Sequence, residues 1–178
     1  RSVLKLSLNF AIADCTYSIP VALRGEYDSA VIGFFATFAT MATSMQRWDI
    51  TDESALAPVV AALCARLDVS TGAQVVALHG DLGAGKTTFT QHLARELGVS
   101  ETVTSPTFVI MKQYETTSDD IDLLVHIDAY RIEVDEELAV LGFSDLLTLP
   151  KTLIVIEWAE KISDLLPDDT LHLSFTIT

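Results

Sequence analysis

The octapeptide Gly80-Asp81-Leu82-Gly83-Ala84-Gly85-Lys86-Thr87 fills every fixed position of the pattern G-x-x-x-x-G-K-[ST], and no other stretch constrains the fold as much. Such a loop works only between a strand and a helix. Both flanks fit. Val75, Val76, Ala77 and Leu78 form an apolar, β-branched run of the kind a central parallel strand needs. A helix-like run follows from Thr87 to Leu97 and stops at Gly98, a residue suited to a left-handed cap. In that setting Gly80, Gly83 and Gly85 let the backbone turn tightly and aim N–H groups at an anion. The helix N-terminus adds about half a positive charge at the same point. Lys86 is then expected to reach the β- and γ-phosphates of a nucleotide, and the Thr87 hydroxyl to hold Mg²⁺. The competing reading, a glycine-rich turn with a solvated lysine, leaves the flanking strand and helix unexplained.

The chain beyond the loop alternates strands with helices. Leu56, Val59, Val60, Leu63 and Leu67 recur at helical spacing, and Pro58 confines the helix start to the neighbourhood of Ser54. Val103 to Tyr114 reads as a strand broken by Ser105-Pro106-Thr107, with a polar turn at Thr116 to Asp120 that closes a hairpin. Leu123 to Asp128 is an apolar strand, Asp135 to Leu141 a short helix stopped by Gly142, and Leu153 to Glu157 the most hydrophobic strand. After Pro167, Leu171 to Ile177 alternates like an outer strand. The expected fold class is therefore α/β, a three-layer sandwich of the phosphate-loop NTPase kind around a mostly parallel central sheet.

In such sheets ligands bind outside the carboxyl ends of the strands. Two strands end there in an acid, Asp128 and Glu157. One is expected to complete the Mg²⁺ site with Thr87 and the other to position an attacking water; composition leaves the division open. Thr107 is a candidate hydroxyl for sensing the γ-phosphate, against the plain reading of a proline turn. Arg131 is either a late cationic contact or a solvated side chain. His79, His92, His126 and His172 show no ligand spacing and read as packed or surface residues. Trp158 belongs to the core or to the wall of the nucleotide pocket.

Charge narrows the class of partner. The 178 residues carry a net charge of −14, with 11 basic side chains. Binding nucleic acid directly needs clustered Lys and Arg, and here they are scattered. Residues 1–44 hold three basic and three acidic side chains, so residues 45–178 hold the whole excess. That shift places a domain boundary near Met41 to Met45. The preceding segment contains an apolar stretch, Ala30 to Ala42, too short to span a bilayer and not arranged as a signal peptide. Residues 1–44 are read as an extension, foreign, mis-started or disordered, and residues 45–178 as the phosphate-loop domain. Cys15 and Cys64 form no metal spacing and read as reduced thiols.

Gly80 to Thr87 with Thr88 and Phe89, then Ser105-Pro106-Thr107, His126-Ile127-Asp128-Ala129-Tyr130-Arg131, Glu136-Glu137-Leu138 with Gly142, and Glu157-Trp158, stand in the order and spacing of the TsaE family. The chain resembles that family over roughly residues 50–175. The resemblance implies a cytoplasmic ATPase of tRNA threonylcarbamoyladenosine biosynthesis that uses ATP and Mg²⁺. Its partners would be TsaB-like and TsaD-like proteins, which modify adenosine 37 of tRNAs reading ANN codons; ATP hydrolysis resets their complex. Carried over by position, residues 80–88 would bind the nucleotide, with Lys86 on its phosphates. Thr87 and Glu157 would hold the metal, Asp128 would act as the catalytic acid, Thr107 as a switch-like contact and Trp158 as a neighbour of the nucleotide. The tRNA would be held mainly by the partners, and no membrane is involved.

Two departures from the family pattern carry expectations of their own. The apolar N-terminal segment is not usual there, so a chain lacking residues 1–44 should still bind ATP. Family members usually continue past the position of Thr178, so the last strand is expected to be an exposed edge. Two rival readings stand beside the ATPase. A small metabolite kinase needs an arginine-rich lid, and few basic residues follow the loop. A nucleotide-gated adaptor with negligible turnover would need the same residues as a slow ATPase.

Overall fold

The structure, a computed structural model, describes residues 4–10, 46–134 and 136–177. Among them seven strands form one sheet: β1 (Leu4–Phe10), β2 (Gln46–Ile50), β3 (Gln74–His79), β4 (Met111–Glu115), β5 (Leu123–Asp128), β6 (Thr152–Glu157) and β7 (Leu171–Ile177), in the order β2-β1-β7-β3-β6-β5-β4. The centre, β7-β3-β6-β5, is parallel throughout. β4 runs antiparallel to β5, and β1 runs antiparallel to both β2 and β7.

The two-residue period of the central strands divides their side chains between two apolar layers. On one face Val76, Leu78, Leu124, Leu153, Val155 and Leu173 pack with two helices, α1 (Ala57–Cys64) and α2 (Lys86–Glu96). On the other, Val75, Ala77, Val125, Ile127, Ile154 and Ile156 meet residues from α3 (Glu136–Val140), α4 (Phe143–Leu147) and the 3₁₀ segment Ala159–Leu165. Helix, sheet and helix make the three layers expected from the sequence. β3 and β6 are apolar on both faces because both faces are covered.

Local signals set the helix ends. Asp52 accepts a hydrogen bond from the Ser54 amide at 2.9 Å and caps a 3₁₀ turn, Glu53–Leu56, that leads into α1 with Pro58 in its first turn. Gly142 takes a left-handed φ of 74° between α3 and α4. The run expected as a strand from Val103 is strand only from Met111. The Pro106 carbonyl accepts from Val109 and Ile110, which turns the chain, and Ile110 holds a φ of 65°.

Two further expectations are corrected. β7 is not an edge: β1 pairs with it along its length on one side, and β3 on the other. Residues 4–10 accordingly lie inside the sheet, ahead of the boundary expected near Met41 to Met45. Leu6 there is 1% exposed and belongs to the α1–α2 layer. Net charge does not show this; the strict alternation of Leu4, Leu6, Leu8 and Phe10 with polar residues was the available signal. The apolar stretch Ala30 to Ala42 and Cys15 lie outside the described residues.

Candidate functional site

The phosphate-binding loop hangs between β3 and α2, and Gly80, Gly83 and Gly85 all hold positive φ. Gly80 holds φ at 141°, and a Cβ built there would stand 2.6 Å from the Phe175 carbonyl oxygen of β7. Gly85 holds φ at 95° and caps α2, whose first helical bond runs from the Phe89 amide to the Gly85 carbonyl at 2.9 Å. Phe89 then packs edge-on against Phe175, ring centroids 5.8 Å apart, which fixes the helix on the sheet. The result is an 11-residue helix with its positive end at the loop.

Lys86 is only 4% exposed. Its ammonium donates to the carbonyls of Gly80 at 2.5 Å and Asp81 at 2.9 Å, and lies 4.1 Å from the centroid of the Trp158 ring. Burial pushes its pKa below the ordinary lysine value, while the charges of Glu157, Glu160, Asp128 and Asp81 act in the opposite direction. Trp158 reaches this position from a left-handed backbone, φ 58°, with its ring tilted on Tyr130 at 5.2 Å.

The two acids stand side by side. Asp128 and Glu157 are register partners at the ends of β5 and β6. Parity puts them on the α2 face, since Leu124 and His126 precede Asp128, and Leu153 and Val155 precede Glu157, at two-residue steps. The Thr87 hydroxyl donates to Glu157, 2.8 Å from Oε1 and 3.1 Å from Oε2. His126 Nε2 lies 2.9 Å from Oε1 of the same carboxylate. Asp128 is held differently. Its Oδ2 accepts from Ser105 Oγ at 2.9 Å and Thr107 Oγ1 at 2.7 Å, and its Oδ1 accepts from the Tyr130 amide at 3.0 Å.

Lys86, Thr87, Thr107, Asp128, Glu157 and Trp158 therefore lie together near the carboxyl ends of β3, β5 and β6. Asp81, Leu82 and Gly83 form the exposed arc of the loop, Ala84 is buried beneath it, and Thr88 follows Thr87 in the first turn of α2. Arg131 instead lies over Phe108, 4.6 Å from its ring centroid. His126 and Ser105 were missed as members of the site. Strand parity was the available signal for His126, two residues before Asp128. For Ser105 it was the two-residue spacing to Thr107. His92 is half-buried, 3.0 Å from Glu53, and His79 joins His172 at 2.8 Å.

Among the described residues no three His, Cys, Asp or Glu side chains converge as a metal cage. Mg²⁺ typically takes one or two carboxylates and leaves its other positions to water and phosphate. The Thr87 oxygen keeps a lone pair free while its proton rests on Glu157, and Glu157, 4% exposed, is a buried carboxylate held by donors. The donor set fits a magnesium–nucleotide complex. Among the described residues no helix is long and apolar enough to cross a membrane.

Comparison with known proteins places the chain in one family. The family model for "Threonylcarbamoyl adenosine biosynthesis protein TsaE" matches residues 50–178. The chain is similar to the tRNA threonylcarbamoyladenosine biosynthesis protein TsaE of Bacillus subtilis (strain 168), 41% identical over 99 residues that cover 56% of this chain and 59% of the relative. It is 43% identical over 100 residues to the protein of the same name from Streptomyces coelicolor, covering 56% and 66%. The chain thus spans about three fifths to two thirds of the length of these relatives. In three dimensions it resembles the crystal structure of Bacillus subtilis YdiB, with a TM-score of 0.54 and 30% identity over 71% of this chain and 73% of that one. With a family model matched across residues 50–178, over a sheet and loop of the right kind, the chain belongs to the TsaE family of threonylcarbamoyladenosine biosynthesis proteins.

Proposed function

We propose that the protein is a Mg²⁺-dependent ATPase that serves threonylcarbamoylation of adenosine 37 in tRNAs reading ANN codons. It works in the cytoplasm with TsaB-like and TsaD-like partners and resets their complex by hydrolysis. The observation that carries the ATPase reading is the hydrogen bond from Thr87 to Glu157, made beside a buried Lys86 at the end of a glycine loop.

Residues 80–88 bind the phosphates through backbone N–H groups and the Lys86 ammonium. Thr87 and Glu157 hold the metal, which when bound neutralises charge on the transferred phosphoryl oxygens. Asp128 orients the attacking water and accepts its proton, with Ser105 and Thr107 fixing the carboxylate. Trp158 walls the nucleotide site and Thr107 responds to the terminal phosphate. With a net charge of −14, the tRNA is held mainly by the partners.

Phosphate release from ATP, measured with and without a TsaB–TsaD pair and with Lys86→Ala as blank, tests the proposal. Release that needs Mg²⁺ and rises with the partners is the expected result. Saturable ATP binding without release under either condition would replace it with a nucleotide-gated adaptor.

A further inference from the structure

His126 is the one fully buried histidine in contact with the site, at 0% exposure, and the functional reading gives it no role. Its Nε2 lies 2.9 Å from Glu157 Oε1, while its Nδ1 is buried with no hydrogen-bond partner among the described residues. A carboxylate oxygen can only accept, so Nε2 carries the hydrogen, and in the neutral ring Nδ1 is then a bare acceptor rather than a stranded N–H. The ring sits on β5, opposite Val155 of β6 in the parallel register, within the α2 layer. Rotation would strand its polar edge in that layer.

The two oxygens of Glu157 are consequently unequal. Oε1 receives His126 Nε2–H at 2.9 Å and faces the Thr87 hydroxyl at 2.8 Å; Oε2 has only the longer Thr87 contact, 3.1 Å. Thr87 is half-buried on the first turn of α2, within the loop that would meet a nucleotide. His126 is fixed in the core. We infer that His126 is a positioning residue, which pins Glu157 through Oε1 and thereby leaves Oε2 as the oxygen presented to a divalent cation. The inference rests on the nucleotide reading above only for the identity of what Oε2 faces. Carboxylates that ligate metals are commonly held in this way by a second hydrogen bond, and removing the holder weakens metal affinity about 10- to 100-fold.

The test uses the full chain and two independent measurements. The first is ¹⁵N NMR of the imidazole in metal-free, nucleotide-free protein: Nε2 should be protonated and Nδ1 unprotonated, with the Nε2 signal shifting in Glu157→Gln. A ring bare at Nε2 and protonated at Nδ1 overturns the inference whatever the protein binds. The second is Mn²⁺ binding in the presence of ADP, read by the paramagnetic resonance of free Mn²⁺. His126→Leu should weaken Mn²⁺ binding at least ten-fold while metal-free ADP affinity stays within a few-fold, and His126→Gln, whose amide can donate from a similar position, should recover most of the loss. A folded His126→Leu protein with wild-type Mn²⁺ affinity overturns the positioning role. Wild-type protein that binds neither ADP nor Mn²⁺ overturns the nucleotide reading, and the NMR result then judges the hydrogen bond alone.

Discussion

The ammonium of Lys86 rests 4.1 Å from the centre of the Trp158 ring while donating to two carbonyls of its own loop. The charge that should meet phosphate is thus satisfied within the protein. A nucleotide must draw it off the ring, and the ring should report the change. In a Trp48→Phe background, which leaves Trp158 as the sole tryptophan, ATP should alter the emission. Lys86→Ala should abolish both the response and tight binding, with affinity falling about 10- to 100-fold from the loss of charge-assisted hydrogen bonds. Wild-type nucleotide affinity in Lys86→Ala would remove the phosphate-loop assignment.

Asp128 makes three hydrogen bonds as an acceptor, from Ser105, Thr107 and the Tyr130 amide. An asparagine keeps a carbonyl for part of that set but cannot take a proton from water. Asp128→Asn should therefore retain nucleotide affinity within a few-fold and lose hydrolysis by about 10²- to 10⁴-fold. Parallel measurements of ADP binding and phosphate release decide the matter. If binding is lost as well, the carboxylate is a structural clamp on the Ser105–Thr107 loop.

Glu157 is buried between Thr87 and His126, so its neutral analogue tests the metal role without opening a cavity. Glu157→Gln should need at least ten-fold more Mg²⁺ for half-maximal ATP turnover. An unchanged Mg²⁺ titration would transfer the metal role to Asp128.

On the other face of the sheet, His79 Nε2 and His172 Nδ1 lie 2.8 Å apart with stacked rings, and His79 also faces Glu160 at 3.3 Å. Burial pushes the His172 pKa below its usual 6.5, and the neighbouring His79 adds to the shift. Below pH 6.5 the unfolded chain then binds the proton more readily than the folded one. The stability associated with His172 is complete above that value and is lost as pH falls toward the folded-state pKa. Thermal unfolding at pH 7.5, 6.5 and 5.5 should show a fall on acidification that is smaller in His172→Gln. An identical fall in the variant would assign the pH dependence to other groups.

The parts of this fold legible in the sequence are those whose chemistry is local. The glycine loop and the apolar runs of β3 and β6 each carry their own signal, and strand-ending acids become meaningful once the sheet is parallel. What stayed hidden depends on pairing between distant segments. β2, with the sequence Gln-Arg-Trp-Asp-Ile, has no apolar run to mark it. Its partner β1 is separated from it by 35 residues outside the described structure. His126 looked like any core histidine because its role depends on the register between β5 and β6, which only the assembled sheet fixes.

β1 gives the sharpest conflict between sequence and structure. The sequence led to the expectation that a chain lacking residues 1–44 would keep its nucleotide site. Among the described residues β1 is the only link between β2 and the rest of the sheet, and it covers the edge of β7. It also adjoins the loop: a Cβ built on Gly85 would lie 3.6 Å from Leu4 Cδ2. Leu6→Ala, a truncation in a packed layer, should cost about 2–5 kcal/mol, a drop in melting temperature of roughly 4–20 °C for a chain of this size. Lys5→Ala, on the exposed side of the same strand, should stay within about 0.5 kcal/mol. Removal of residues 1–44 should destabilise the protein at least as much as Leu6→Ala and weaken ATP binding through the uncovered loop. Equal melting temperatures for Leu6→Ala and the parent chain would show that β1 contributes nothing to the fold, and would restore residues 1–44 to the status of an appendage.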